Sequence, residues 1–329
     1  MELVKDLGEH ELLRRLNRYC ASDFVGDDGA LVDVDEGKQL VVTTDMLIDE
    51  VHFCDRTTPP FMVGWRSVTA NLSDLAAMGA TPLGITVALS IPPQTPVCWL
   101  ELLYKGMKAC LDEFDSYIIG GDLTRGKNIA ISITALGQVN PQQKILRNLA
   151  KPNDVVLITG NHGLSSAGLE ILLNPDKYQA IDPQIKQKLI LAHQQPQPRL
   201  DVIDILHQNK INHPIAGMDS SDGLGDAIIQ ICQQSQVGAT IDRQLIPVSP
   251  TITAITDKNT AWHWILYGGE DFELILCVKP ELAELLTQKY PSQFIAIGTI
   301  TQNPEITLID SQNFYPKVLL TQTEIFNHF

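Results

Sequence analysis

A chain of 329 residues is long enough for roughly two domains of about 150 residues each. Its 44% hydrophobic and 19% charged residues are those of a soluble globular protein. With 24 Lys+Arg against 39 Asp+Glu the net charge is −15, which argues against a basic surface for nucleic acid or for an anionic membrane, so a phosphate ligand would need metal ions to bring positive charge.

The six cysteines (Cys20, Cys54, Cys98, Cys110, Cys232 and Cys277) form no C-x-x-C and sit in or beside apolar sequence, as reduced core thiols do. No basic-then-apolar leader and no apolar run of about 18 residues is present, and the expected location is cytoplasmic.

In chain order, Gly8-Glu9-His10-Glu11 opens an amphipathic helix with Leu12, Leu13 and Leu16 on one face and Arg14, Arg15 and Arg18 off it. A loop follows, reaching Gly26-Asp27-Asp28-Gly29-Ala30. Residues 31–34, the turn Asp35-Glu36-Gly37-Lys38 and residues 40–45 read as a β-hairpin. Its second arm stops at Thr43-Thr44-Asp45 with His52 close behind. Hydroxyls and a carboxylate at a strand end are hard oxygen ligands suited to Mg²⁺, although the same pattern also makes an ordinary polar turn. Asp33-Val34-Asp35 is no EF-hand, because the glycine falls one position early and no glutamate closes the loop.

Helical periodicity covers 61–78, with Val63, Val68, Leu72, Leu75 and Ala76 apolar, Asn71 and Asp74 on one face, and Gly79 as a stop. Residues 83–91 read as a strand, 96–114 as a helix, 117–122 as a short apolar strand stopping at Asp122, and 129–139 as another strand. Turn chemistry at Ala150-Lys151-Pro152-Asn153-Asp154 precedes a strand at 155–159 and places a domain boundary near 150, giving 1–149 and 150–329. Helices are expected at 165–173 and around 183–193 and 199–208. Asp219-Ser220-Ser221-Asp222-Gly223-Leu224-Gly225-Asp226 opens a further helix. The last third alternates short strands and helices through Gly268-Gly269-Glu270-Asp271-Phe272-Glu273-Leu274. The class is α/β (α+β) with two domains.

Gly121 to Asn128 nearly matches the P-loop pattern G-x-x-x-x-G-K-[ST]. Asn128 lacks the Mg²⁺-binding hydroxyl, Asp122 lies inside the phosphate cradle, and a strand rather than a helix follows, so the reading fails. Gly223-Leu224-Gly225 carries two glycines of a dinucleotide fingerprint, but Ile228 holds the third position and Asp222 abuts the pyrophosphate. No H-E-x-x-H, G-x-S-x-G or C-x-x-C pair occurs. Gly160-Asn161-His162-Gly163-Leu164-Ser165-Ser166 at a helix start suits either backbone phosphate binding or an N-cap turn. What remains is a repeated pattern of acids ending apolar runs: Asp27-Asp28, Asp45, Asp74, Asp122, Asp219, Asp222 and Glu270-Asp271. Acids brought together would repel one another, a cost that several Mg²⁺ ions holding a polyphosphate would explain.

Six blocks in this order resemble the thiamine-monophosphate kinase family, within the aminoimidazole-ribonucleotide-synthetase-like ATP-binding superfamily. They are Gly26 to Ala30, Thr43-Thr44-Asp45 with His52-Phe53, Asn71 to Gly79, Gly120-Gly121-Asp122, Ser221 to Leu224 and Gly268 to Leu274. The similarity runs from about Gly8 to Phe329. It implies an N-terminal α/β domain that dimerises through its sheet, a C-terminal α/β domain completing the active site, and the reaction of ATP with thiamine monophosphate to give thiamine diphosphate and ADP. By the same resemblance, several Mg²⁺ ions are held by Asp28, Thr43, Thr44, Asp45, Asp74, Asp122, Asp219 and Asp222, with Asp45, Asp74, Asp122 and Asp222 closest to the chemistry. Tyr104, Gly121, Asp122, Arg147 and Ser221 are implied to contact ATP, and His52, Glu270 and Phe326 the thiamine part. Arg147 also suits a solvated surface arginine, and His52 a capped turn. Two further readings stand beside this one: another acceptor within the superfamily, or a Mg-nucleotide-binding module without turnover.

Overall fold

A computed structural model describes residues 2–25 and 28–321, and the chain divides into two compact units. The first comprises Met1–Leu75, Ala80–Asn140 and Gln194–Pro196; the second comprises Ala76–Gly79, Pro141–His193 and Gln197–Phe329.

In chain order the first unit carries α1 (Val4–Leu7), α2 (Glu9–Leu16), β1 (Gln39–Ile48), α3 (Pro60–Ala77), β2 (Thr81–Ile91), α4 (Val97–Asp112), β3 (Ile118–Arg125) and β4 (Ala130–Val139). Its sheet has the order β1-β4-β2-β3, antiparallel except for the parallel β2–β3 pair. One face is a continuous apolar layer of Ile85, Val87, Leu89, Ile131, Ile133 and Ala135, each at most 1% exposed. α3 lies on this face, with Leu75 against Gly137 of β4. α3 and α4 approach so closely that a Cβ on Gly64 would stand 2.0 Å from Leu103 O, and one on Gly106 1.8 Å from Phe61 O. Gly79, at φ +74°, stops the α3 run as its sequence suggests.

Residues 31–34 form no strand, so the expected hairpin is absent. Asp35 N instead donates to Gln138 Oε1 of β4 at 2.9 Å, and the partner of β1 is β4, far along the chain. β1 also runs through Asp45 to Ile48, and β3 through Asp122 to Arg125, so both acids sit within strands rather than at their ends.

The second unit carries β5 (Ile145–Leu146), β6 (Val155–Ile158), α5 (Leu164–Leu173), α6 (Pro183–Gln194), α7 (Leu200–Gln208), β7 (Ile215–Asp219), α8 (Leu224–Ser235), β8 (Gly238–Asp242), α9 (Pro250–Thr253), α10 (Lys258–Tyr267), β9 (Leu274–Val278), α11 (Pro280–Lys289), β10 (Ile295–Thr301), β11 (Ile306–Ile309) and β12 (Val318–Leu319). Its mixed sheet has the order β12-β11-β8-β10-β6-β9-β7-β5. The centre, β6, β9 and β7, consists almost wholly of buried residues, as strands covered on both faces do.

Of the six cysteines only Cys110, Cys232 and Cys277 are buried; Cys98 is exposed. No helix among the described residues is long and apolar enough to cross a membrane.

Candidate functional site

Strand pairing decides which face each residue of β1 occupies. Thr43, Asp45 and Leu47 pair with Ala135, Ile133 and Ile131 and share the face covered by α3. From α3, Asn71 and Asp74 reach back to this strand. Asn71 Oδ1 accepts from Asp45 N at 3.2 Å, and Thr43 Oγ1 donates to the Asp74 carboxylate. β1 is an edge strand with amides that lack a sheet partner, and Asn71 supplies one. Asn71 is fixed in turn by donating Nδ2 to Ser67 O at 3.0 Å.

Thr44 and Asp122 lie on the opposite face. Thr44 pairs with Thr134 and donates Oγ1 to Ile133 O at 2.8 Å. Asp122 pairs with Ala88, which pairs with Ser132, which pairs with Met46 of β1. Three inter-strand spacings, roughly 14 Å, therefore separate Asp122 from β1. One copy of the first unit brings Thr43, Asp45 and Asp74 together and leaves Asp122 apart from them. Gly121 is dictated by the sheet itself, since a Cβ there would meet Val87 O at 2.2 Å.

His52 closes the turn after β1: its Nδ1 accepts from Ile48 N at 3.1 Å, and its carbonyl accepts from Arg66 Nη2 at 3.4 Å. In the neutral imidazole this places the proton on Nε2. Tyr104 is 6% exposed, packs near Tyr19 with ring centroids 6.4 Å apart, and has its phenol pKa pushed up, chiefly by burial. Asp28 is exposed in a bend. Phe326 lies outside the described residues.

In the second unit, β7 ends on Asp219, 1% exposed, with Ser221 Oγ donating to Asp219 Oδ1 at 3.3 Å and Asp222 exposed beyond it. Gly223, at φ +104°, turns the chain into α8. The segment 268–273 braces this turn. Glu270 N donates to Ser221 O at 2.7 Å and Ser220 N to Glu273 O at 2.8 Å, and a Cβ on Gly269 would stand 2.5 Å from Ser221 O.

Glu273 is anchored below by Thr159 Oγ1 at 2.5 Å and by Arg199, whose guanidinium also holds Asp201 through two bonds of 2.9 and 3.0 Å. Burial pushes the Glu273 carboxyl pKa up, and the charge of Arg199 opposes the shift.

Arg147 is aimed by Gln230, whose Oε1 accepts from Nη1 at 2.7 Å while its Nε2 donates to Asp226 at 2.5 Å. Burial raises the Asp226 pKa, and the charge of Asp222 adds to the shift. Arg147 borders a cavity of about 410 Å³ whose walls include Leu146, Met218 and Gln234, a volume within the range of small-ligand sites.

The glycine-containing start of α5 already holds an anionic group: the Asp271 carboxylate accepts from Gly163 N at 2.5 Å and Ser165 N at 2.8 Å, a cap supplied by a distant segment, while the N-cap residue Gly163 makes no side-chain cap bond. Burial, opposed by these two bonds, pushes the Asp271 pKa up to about 7. The near-P-loop is likewise strand β3, followed by a turn and β4. Gln230, His193 and Arg199 join the site residues named from sequence, and Asp226 and Ser165 gain partners that the sequence does not show. Only Asp226 and Gln230, spaced i,i+4 on α8, left a local signal.

Among the described residues no three of His, Cys, Asp and Glu stand close enough to hold a metal alone. Thr43 with Asp74, and Ser221 with Asp219, are nevertheless hard-oxygen pairs of the sort that binds Mg²⁺ together with water and substrate phosphates rather than as an all-protein cage.

Residues 26–139 match the N-terminal domain of the AIR synthase related protein family, and residues 151–311 its C-terminal domain. The chain is 44% identical over 308 residues, 93% of its length, to thiamine-monophosphate kinase of Synechococcus elongatus, covering 92% of that relative. The crystal structure of thiamine-monophosphate kinase from Stenotrophomonas maltophilia is similar at a TM-score of 0.79 and 31% identity, over 90% of this chain and 95% of that one. A structure described as AaThiL complexed with AMPPCP and TMP is similar at 0.73 and 27% identity, over 98% and 99% of the two chains.

Proposed function

The chain belongs to the AIR synthase related family and, within it, to the thiamine-monophosphate kinases, and from that premise we propose how its residues divide the transfer of a phosphoryl group from ATP to thiamine monophosphate. The observation that carries the reading is the pairing of Thr43 with Asp74 and of Asp45 with Asn71, which gathers hard oxygens on one face of β1 in a chain so similar to a named kinase.

Donor and acceptor are both anionic phosphates, so their approach needs neutralising charge that a protein at −15 does not supply. Mg²⁺ held by the residues named next would supply that charge. In the first unit Asp28, Thr43, Thr44, Asp45, Asp74 and Asp122 are the proposed ligands, and in the second Asp219 and Asp222. Gly121, Arg147 and Ser221 are the proposed ATP contacts, with Arg147 offering a forked cation aimed by Gln230; Tyr104, buried as it is, is assigned to ATP by resemblance alone. His52, Glu270 and Phe326 are assigned to the thiamine side.

No side chain is needed as a nucleophile or as a general base, because a phosphomonoester with a second pKa of roughly 6 is already ionised near neutral pH. The work left to the protein is holding two phosphates in line.

Dimerisation through the sheet of the first unit is part of the proposal. Leu40, Val42 and Met46 are 50%, 57% and 51% exposed on the face that also carries Thr44 and Asp122, and a partner on that face would cover them. It would also offer an Asp122 from a second copy. A cytoplasmic location is proposed with the same reading.

A panel assay tests the function: thiamine monophosphate, thiamine and unrelated phosphomonoesters are each incubated with MgATP, with EDTA controls. Thiamine diphosphate formed only from the monophosphate and only with Mg²⁺ is expected. Turnover of a different acceptor, or ATP binding without turnover, would replace this reading by one of its two alternatives.

A further inference from the structure

Glu270, assigned above to the thiamine side, sits in backbone that glutamate does not favour: its φ is +66°, and Phe272 two residues on is at +52°. Such strain persists only where surrounding contacts over-determine it. The contacts that fix this segment are the bond from Glu270 N to Ser221 O and the two that the Asp271 carboxylate accepts from the start of α5. The Glu270 carboxylate also stands near His193, whose Nδ1 lies 3.8 Å from Glu270 Oε2, longer than a hydrogen bond and an ion-pair distance when the imidazole is protonated.

The His193 side chain is 3% exposed and that of Glu270 is 35% exposed, so the pair runs from the interior to the surface. Ser165 Oγ lies 3.0 Å from the same imidazole nitrogen, while Ser165 N holds Asp271, the neighbour of Glu270. α5 and α6 pack so tightly here that a Cβ on Gly168 would be 2.1 Å from Leu189 O and 3.0 Å from His193 Cβ. The backbones that carry Ser165 and His193 are therefore held close together. A buried imidazole is costly unless its polar atoms are used, and the reaction assigns this one no chemistry.

We propose that His193, locked by Ser165, is a positioning residue that holds the Glu270 carboxylate toward the cationic thiazolium-bearing part of the acceptor. The inference rests on the reading of Glu270 as an acceptor contact. A glutamate in water spreads over many rotamers, and ordering it at the moment of binding costs affinity that a pre-set neighbour saves. The benefit falls on the acceptor and leaves ATP untouched.

Steady-state kinetics of His193→Leu, His193→Asn, Ser165→Ala, Glu270→Gln and the His193→Leu/Glu270→Gln pair test this. His193→Leu is expected to raise KM for thiamine monophosphate about ten-fold, which is ~1.4 kcal/mol, with KM for ATP within about two-fold of wild type. His193→Asn, whose amide reaches the Nδ1 position, recovers part of the loss, and Ser165→Ala loses less in the same direction. In the Glu270→Gln background His193→Leu adds less than about two-fold, because the group it positions is gone. The proposal is overturned if His193→Leu leaves the acceptor KM unchanged, shifts both KM values together, or has the same effect with Glu270 absent. A wild-type acceptor KM in Glu270→Gln is a different failure: it removes Glu270 from the acceptor site, and the proposal with it.

Discussion

Replacing Arg199 by Met tests the support beneath the Asp219–Asp222 turn. Arg199 is 8% exposed and ties Glu273 to Asp201, while the Glu273 carbonyl holds both Ser220 N and Ser220 Oγ. Removing one partner of a buried pair costs about 3–5 kcal/mol. Asp201, half exposed, can turn to water, and Thr159 Oγ1 still donates to Glu273, so about 3 kcal/mol is expected at pH 8. The loss depends on pH. Burial already lifts the Glu273 pKa above its ordinary 4.5, and Arg199 is the largest influence opposing the lift, with the Thr159 hydrogen bond beside it. Without Arg199 the folded pKa rises further. The penalty of the charged form is then full above the folded pKa and relieved as pH falls toward 4.5. Urea denaturation followed by circular dichroism at pH 8 and pH 5.5 reads both quantities. A deficit under about 1 kcal/mol at pH 8, or the same deficit at both pH values, would refute the reasoning.

Asp74→Asn, which keeps the shape beside Thr43 but removes the charge, is expected to lower thiamine diphosphate formation at least about a hundred-fold while thermal melting stays near wild type. Gly64→Ala forces α3 from α4 at Leu103 O and should cost at least about 2 kcal/mol, read as a lowered melting temperature. His162 and Asp271 give opposing acid responses. Burial holds the His162 pKa at about 3 against an ordinary 6.5, so its contribution is present above 6.5 and lost as pH falls. Asp271, raised to about 7, makes the protein more stable as pH falls from 7 toward 3.8. The two nearly cancel between pH 4 and 6.5, so denaturation midpoints should rise on acidification in His162→Asn and fall in Asp271→Asn. Parallel trends in the two variants would contradict those assignments.

The boundaries of α3, β2, α4 and β4 were legible to within two or three residues, because each carries a long apolar period closed by Gly or Pro signals. The hairpin at 31–45 was not. Its turn exists, but the partner of β1 is β4, and no local pattern announces so distant a pairing. The same cause hid the geometry of the acids. Thr43, Thr44 and Asp45 looked like one cluster at a strand end. Because β1 continues to Ile48, strand alternation sends Thr44 to one face and its neighbours to the other. Asp74 was legible as a helix-face acid beside Asn71, whereas its bond to Thr43 depends on how α3 crosses β1. Ser165 showed only as part of a helix start, and His193 and Arg199 left no trace in sequence, since their partners are brought near only by folding.

The most direct test follows the label from [γ-³²P]ATP mixed with thiamine monophosphate and Mg²⁺ in a quenched time course. Direct transfer between two phosphates predicts that label passes to the terminal phosphate of thiamine diphosphate at the rate ADP appears, with none on the protein and none transferred once EDTA is added. Label retained on the chain, or released as inorganic phosphate without thiamine diphosphate, would contradict the account.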